Sequence, residues 1–138
     1  MPFLSIPDLN SQAMKKLLAE QDETEEEGEI YSEFMSKYPI KGPQHQLFGW
    51  PAPIQNEMEL ECQLASNGVY VGGPEGYRDP RAEALRAGAS DWVLLLQIDS
   101  DDDAAMTWGD AGMIYFWIRR RDLDQCRFDK VWLILQCF

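Results

Sequence analysis

Apolar positions along this chain recur first at helical and then at strand spacing. After Pro7 and Asp8, the residues Leu9, Ala13, Met14, Leu17 and Leu18 fall on one stripe with Lys15, Lys16 and Glu20 opposite, which predicts a short amphipathic helix. Ile30, Tyr31, Phe34, Met35 and Tyr38 make a second stripe that Pro39 stops. Between the two, residues 20–29 hold seven acids in ten positions, a density that resists burial and predicts a solvated linker. From Pro39 to Pro53 the chain is punctuated by Gly42, Pro43, Gly49 and Pro51, so an ordered but irregular connector is expected to hold Leu47, Phe48 and Trp50 against the body. A third helix is predicted over about 57–66, with Asn56 capping amides that Glu59 answers and Asn67-Gly68 as a left-handed stop. Gly72-Gly73-Pro74 and Gly76 read as a loop. Asp79 then caps a fourth short helix, with Pro80 at its first position and Gly88 after its last.

The C-terminal part changes period. Residues 92–98, 113–118 and 131–137 are short, rich in Val, Ile, Leu and aromatics, and bounded by polar turns, which favours strands. Their near-continuous apolarity predicts central strands. The first two are expected to pair as an antiparallel hairpin around an acidic loop, and the return between Arg119 and Lys130 should include a helical turn at Arg121–Asp124. Short helices followed by late strands predict an α+β fold, a mainly antiparallel sheet formed by C-terminal strands with short helices in the N-terminal half.

Charge narrows the functional classes. With 12 basic and 24 acidic residues among 138, the chain carries a formal charge of −12, which repels polyphosphate backbones and anionic membrane surfaces. Neither nucleic acid nor membrane is therefore an expected partner. The length suits one domain over residues 1–138, with residues 1–38 as a helical segment. Cys62, Cys126 and Cys137 are odd in number and widely spaced, so they are read as reduced, small apolar core groups. The start, Met1 to Asp8, lacks the basic and apolar stretches of a signal peptide, and the expectation is a soluble cytoplasmic protein.

Several motifs in succession, His45-Gln-Leu-Phe-Gly-Trp-Pro51, Gln55-Asn-Glu-Met-Glu-Leu-Glu-Cys62, Asp91-Trp-Val-Leu-Leu-Leu-Gln-Ile-Asp-Ser-Asp101, Trp108-Gly-Asp-Ala-Gly-Met-Ile-Tyr-Phe-Trp-Ile118 and Val131-Trp-Leu-Ile-Leu-Gln136, resemble the YwqG-like family, a bacterial domain of unassigned function. The resemblance covers about residues 40–138. It implies an α+β fold with a strongly β core, and a chain that corresponds to the C-terminal part of longer members behind a shortened N-terminal region. It brings no catalytic residues, cofactor or substrate. If the shortened region supplies strands in longer members, a sheet edge is left open here, and a homodimer is expected to cover it.

The candidate chemistry lies in the last third and in the connector. Asp99, Asp101 and Asp103 occupy positions 1, 3 and 5 of an EF-hand-like frame, with Asp110 at position 12. Position 6, however, is Ala104 where the calcium loop needs Gly, and strands flank the loop where helices should. A looser calcium or magnesium site on these four aspartates is one reading; a solvated hairpin loop whose carboxylates cap turns is the favoured one. Trp108 could offer an aromatic platform beside Asp110, although packing on the sheet is the simpler role. His45, the only histidine, could act as a base, but no nucleophile motif, phosphate loop or second histidine accompanies it, which favours a hydrogen-bonded structural role. Arg119-Arg120-Arg121 is expected to neutralise nearby aspartates. No catalytic residue or cofactor is expected. The reading is a domain that binds another protein, a basic one by charge complementarity, in a regulatory or immunity-type role, through a surface containing His45, Trp50 and Trp108. The alternative is a metal-assisted hydrolase using the Asp99–Asp110 loop.

Overall fold

The computed structural model describes residues 42–138 together with Glu33, Ser36 and Lys37, which are helical. The stripe at residues 9–18, the acidic linker at 20–29 and the remainder of the stripe at 30–38 lie outside the described residues. The fold is α+β: one antiparallel sheet, mainly C-terminal, with short helices before it. Four strands, β1 (Gln46–Leu47), β2 (Trp92–Asp99), β3 (Met113–Arg119) and β4 (Trp132–Gln136), lie side by side in sequence order. The expected hairpin is present, with Trp92 opposite Arg119 and Asp99 opposite Met113.

The register contains one irregularity that decides which side chains point inward. Leu94 pairs with Trp117 but Leu96 pairs with Phe116, so Leu95 is an extra residue in β2. Before this bulge Trp92 and Leu94 face the core; after it, Gln97 does. On that face Met113, Tyr115 and Trp117 of β3 and Ile134 of β4 join them, and Met58 and Cys62 close the cluster from the helical side. Directly opposed residues share a face. The other face is therefore also apolar: Leu47, Leu96, Phe116 and Leu133 make one row across the sheet, and Ile98, Ile114 and Leu135 the next.

The expectation of three central strands is corrected for β4, which forms one edge of the sheet and leaves Leu133 and Leu135 about half exposed. Its apolarity comes from contributing to both faces while having a neighbour on one side only. The two-residue β1 at the other edge carries too little periodicity to be read from sequence.

Helix α1 spans Glu59–Ser66 rather than starting at 57, and Asn56 does not cap it; its first residue follows Met58, which has no side-chain cap. Its end is as expected. Gly68 takes φ +74°, its N–H bonds the Ala65 carbonyl and Val69 N–H bonds the Leu64 carbonyl, the paired bonds of a Schellman stop. Leu64 and Val69 then pack together with Ala82 in a second small core. The expected loop at Gly72–Gly76 contains a short helix, α2 (Pro74–Tyr77). The fourth helix, α3 (Pro80–Leu85), begins as read: the Asp79 carboxylate accepts the Arg81 N–H at 2.8 Å. It does not stop before Gly88 but tightens into a 3-10 turn over Arg86–Asp91 that delivers the chain into β2. Helix α4 (Arg120–Asp124) and a 3-10 turn at Phe128–Lys130 complete the return to β4. The three cysteines are free; Cys62 is buried as expected, whereas Cys126 is exposed and so is not a core group. Among the described residues no helix is long and apolar enough to cross a membrane.

Nothing lies within 4 Å of a Cβ added at Gly68, so Gly68→Ala tests the left-handed backbone alone. It should destabilise the domain by about 1 kcal/mol in urea titration, with unchanged slope.

Candidate functional site

Two buried glutamines tie the connector to the sheet. Gln97, which the bulge turns inward, accepts from Ala52 N–H at 2.9 Å and donates through Nε2 to the Gln44 carbonyl at 2.7 Å. Gln136 of β4 accepts from the N–H groups of Ile54 and Gln55 and donates to the Asn56 carbonyl at 2.9 Å. The Tyr115 hydroxyl donates to the Ala52 carbonyl at 2.8 Å, so both ends and the middle of the connector are fixed from beneath. Between these anchors the chain turns sharply. Phe48 and Gly49 have φ +59° and +83°, consecutive left-handed residues of the kind found in mirror-image turns. For glycine this is ordinary; for a phenylalanine it is strained, at a cost of roughly 1–3 kcal/mol. The turn ends β1 and lifts the chain off β2 immediately after Phe48 N–H has bonded the Leu95 carbonyl at 3.1 Å.

The space opened by that turn is a cleft of about 540 Å³, a volume in the ordinary range for ligand sites. Phe48, Trp50 and Pro51 line it from the connector, Trp92 from β2, Trp117 from β3 and Leu123 from α4. Trp50 is 37% exposed, whereas Trp92 and Trp117 are buried, so the first forms a lip and the other two a floor. The two floor indoles differ in their bonding. Trp92 Nε1 donates to Gln63 Oε1 at 3.0 Å, and the Arg119 guanidinium stands 4.9 Å over its ring. Trp117 Nε1 is the one buried side-chain polar atom among the described residues with no hydrogen-bond partner. An unanswered buried donor is uncommon and costly in a folded protein. Glu59 and Arg120 supply one charge of each sign to the lining. Burial pushes the Glu59 carboxyl above its ordinary range, and the neighbouring Glu57 charge adds to the rise, against the lowering effect of the amides it accepts from.

The sequence-nominated residues divide between this cleft and a second place. Trp50 belongs to the cleft. His45, Asp99, Asp101 and Trp108 are brought together at the far end of β2. Asp99 N–H donates to His45 Nδ1 at 3.1 Å, which requires that nitrogen to be unprotonated; Nε2 then carries the hydrogen and donates to Asp101 Oδ2 at 3.1 Å. That bond is the main reason the Asp101 carboxyl is held below its usual range, helped by the amides of Ala104 and Asp103 that its other oxygen accepts. Asp99 Oδ2 accepts from Gln44 N–H at 2.9 Å. Trp108 Nε1 donates to the Asp99 carbonyl at 3.1 Å. Asp103 and Asp110 sit exposed on the loop. Among the described residues no three of His, Cys, Asp and Glu are grouped so as to hold a metal ion. Both ring nitrogens of His45 are engaged, and its visible work is to stitch the connector to the acidic loop. The Trp108–Gly112 motif is explained by close approach: a Cβ on Gly112 would lie 2.2 Å from the Gln136 carbonyl oxygen.

A family model matches residues 2–137. The chain belongs to that family, a domain of unknown function, DUF1963. A comparison with proteins of curated function finds no match. The match takes in residues 2–39, which the resemblance read from sequence had left out, so the DUF1963 pattern includes the amphipathic stripes as well as the sheet.

Sequence reasoning found the connector, Trp50 and the acidic loop but missed Phe48, Glu59, Trp92 and Trp117 as one site. Their convergence depends on the β2–β3 register and on the bulge, and a single sequence signals neither. The Phe-Gly pair ahead of Trp50 was the available clue, since a glycine after an aromatic at a strand end marks a turn.

Replacing Gln136 by Leu leaves the Ile54 and Gln55 amides and the Asn56 carbonyl unanswered. Each orphaned group costs roughly 1–3 kcal/mol when buried, less where water reaches it, so Gln136→Leu should lose about 3 kcal/mol in urea titration and open the connector to limited proteolysis. Glu59 sets a pH dependence. Its folded-state value lies above that of the unfolded chain, so stability falls as pH rises from the ordinary carboxylate range through the raised value. Glu59→Gln should flatten that part of a urea-midpoint profile and be more stable than wild type at neutral pH. The Glu61 share of the slope, also raised by burial, should remain.

Proposed function

We propose that this DUF1963 domain acts by binding a partner protein, and that the partner anchors an apolar or aromatic side chain in the cleft between Trp50 and the Trp92–Trp117 floor. The observation that carries the reading is a strained, partly exposed Phe48 held at the rim of a preformed aromatic cleft. Backbone strain and exposed aromatics are both unfavourable for folding alone, and together they accord with a surface kept for recognition. The chain's formal charge of −12 favours a basic partner, whose encounter it accelerates. Within the family, the chain is read as YwqG-like, and its role as regulatory or immunity-type.

A capped heptapeptide alternating lysine and threonine around a central phenylalanine is the probe, read by tryptophan fluorescence and indole N–H shifts. Binding in the micromolar to millimolar range is expected, lost when lysine is replaced by glutamate. Trp50→Ala should weaken it at least tenfold. Phe48→Asn should do the same while leaving Tm within a few degrees, because relief of about 1–2 kcal/mol of left-handed strain offsets the lost half-buried ring. Unchanged affinity in both variants would dismiss the cleft as the binding surface.

A further inference from the structure

The cleft is lined by Trp92, Val93 and Leu94, consecutive residues of β2. Side chains along a strand alternate between the two faces of a sheet, so a space bordered by three in a row reaches beyond one face to the strand's margin. The pairing agrees. β1 covers β2 only at Leu96 and Gln97, with one further bond from Phe48 to Leu95, and then turns away. From Trp92 to Leu94, β2 pairs with β3 on one side, and among the described residues no strand pairs with it on the other; the cleft reaches this stretch from the connector at Phe48–Pro51 and also takes in Trp117 of β3. A half-covered edge strand presents backbone donors and acceptors ready for another strand. We infer that the occupant of the cleft is an extended basic segment of a partner protein that adds as a strand to β2 beside Trp92–Leu94, in the space β1 vacates at Phe48.

The inference rests on the cleft being the binding surface and adds how the partner is held. Main-chain bonds to β2 supply register, and alternate side chains reach opposite sides of the edge, as in other strand-addition complexes. One set meets the indoles of Trp50, Trp92 and Trp117. The lining itself holds one charge of each sign, Glu59 and Arg120, so lysines flanking the anchor are drawn by the acidic character of the chain as a whole, with formal charge −12. At about 3.3 Å per residue, the stretch from Trp92 to Leu94 holds three to four residues of the added strand. The Phe48–Gly49 turn accounts for where β1 ends, because left-handed residues cannot continue a strand.

The test uses the full chain and the lysine–threonine heptapeptide with two backbone-methylated versions, each N-methylated on one alternating set of residues. Only one set of amides faces the sheet in a strand. Methylation of that set should weaken binding at least tenfold and methylation of the other should leave it within twofold. Trp92 N–H already bonds the Ala89 carbonyl, so the amides expected to respond lie beyond it, and exchange within Val93–Leu94 should slow at least tenfold on binding the parent peptide. If both methylated peptides bind like the parent while Trp50→Ala still weakens them, strand addition is overturned and the cleft reading stands. If the parent shows no binding at millimolar concentration, both fall.

Discussion

The structure depends on hydrogen bonds from two side chains that the core would otherwise exclude. Gln97 and Gln136 are as buried as the aliphatic residues around them, and each bonds backbone groups of the irregular segment from Gln44 to Asn56. A segment with so many prolines and glycines cannot satisfy its own amides and carbonyls through a ladder. The glutamines do so from within the sheet, which is why an irregular chain can lie over a packed core. The lip of the cleft, the strained turn and the placement of His45 all follow from where that segment is pinned.

Much of the α+β architecture was legible because hydrophobic period reports it directly. The segments at Trp92, Met113 and Trp132 announced strands, and the Asp79-Pro80 and Asn67-Gly68 signals placed helix ends whose mechanism is local. What depends on neighbours was not legible. Apolarity placed β4 in the middle of the sheet, yet a strand can be apolar on both sides of its plane and still lack a neighbour in its plane. Asn56 has the chemistry of a cap, but its carbonyl is engaged by Gln136, and α1 starts later. Among the candidate site residues, the sequence singled out His45, four aspartates and Trp108 by their chemistry; His45, Asp99, Asp101 and Trp108 converge, whereas Asp103 and Asp110 stay exposed on the loop. It also named Trp50, but not the indoles opposite, because their meeting is a matter of register.

The two ends of β2 are specialised in opposite senses. At Asp99 the polar groups close on one another: histidine, carboxylates, indole and backbone amides form a bonded knot that fastens the acidic loop to the connector. At Trp92 the sheet opens, with aromatic walls, an unanswered indole N–H and a carboxyl whose ionisation burial opposes. Carboxylates already committed to amides gain little from a partner, whereas half-covered apolar surface gains from being covered. The most conspicuous chemistry in the sequence therefore serves to secure the loop, and the less conspicuous end carries the surface we propose for recognition.

The single extra residue at Leu95 also governs how this strand can change over evolutionary time. Losing that residue would leave a plain ladder in which Leu96 follows Leu94 directly, so Leu96 and Ile98 keep the outer face and Gln97 and Asp99 the inner one. Drawing Leu95 into the ladder opposite Phe116 would do the reverse, sending Leu96 inward, turning Gln97 out and releasing the connector's clamp. The strand can therefore shorten by one residue at this position without dismantling either end, whereas a slip of its pairing there undoes both.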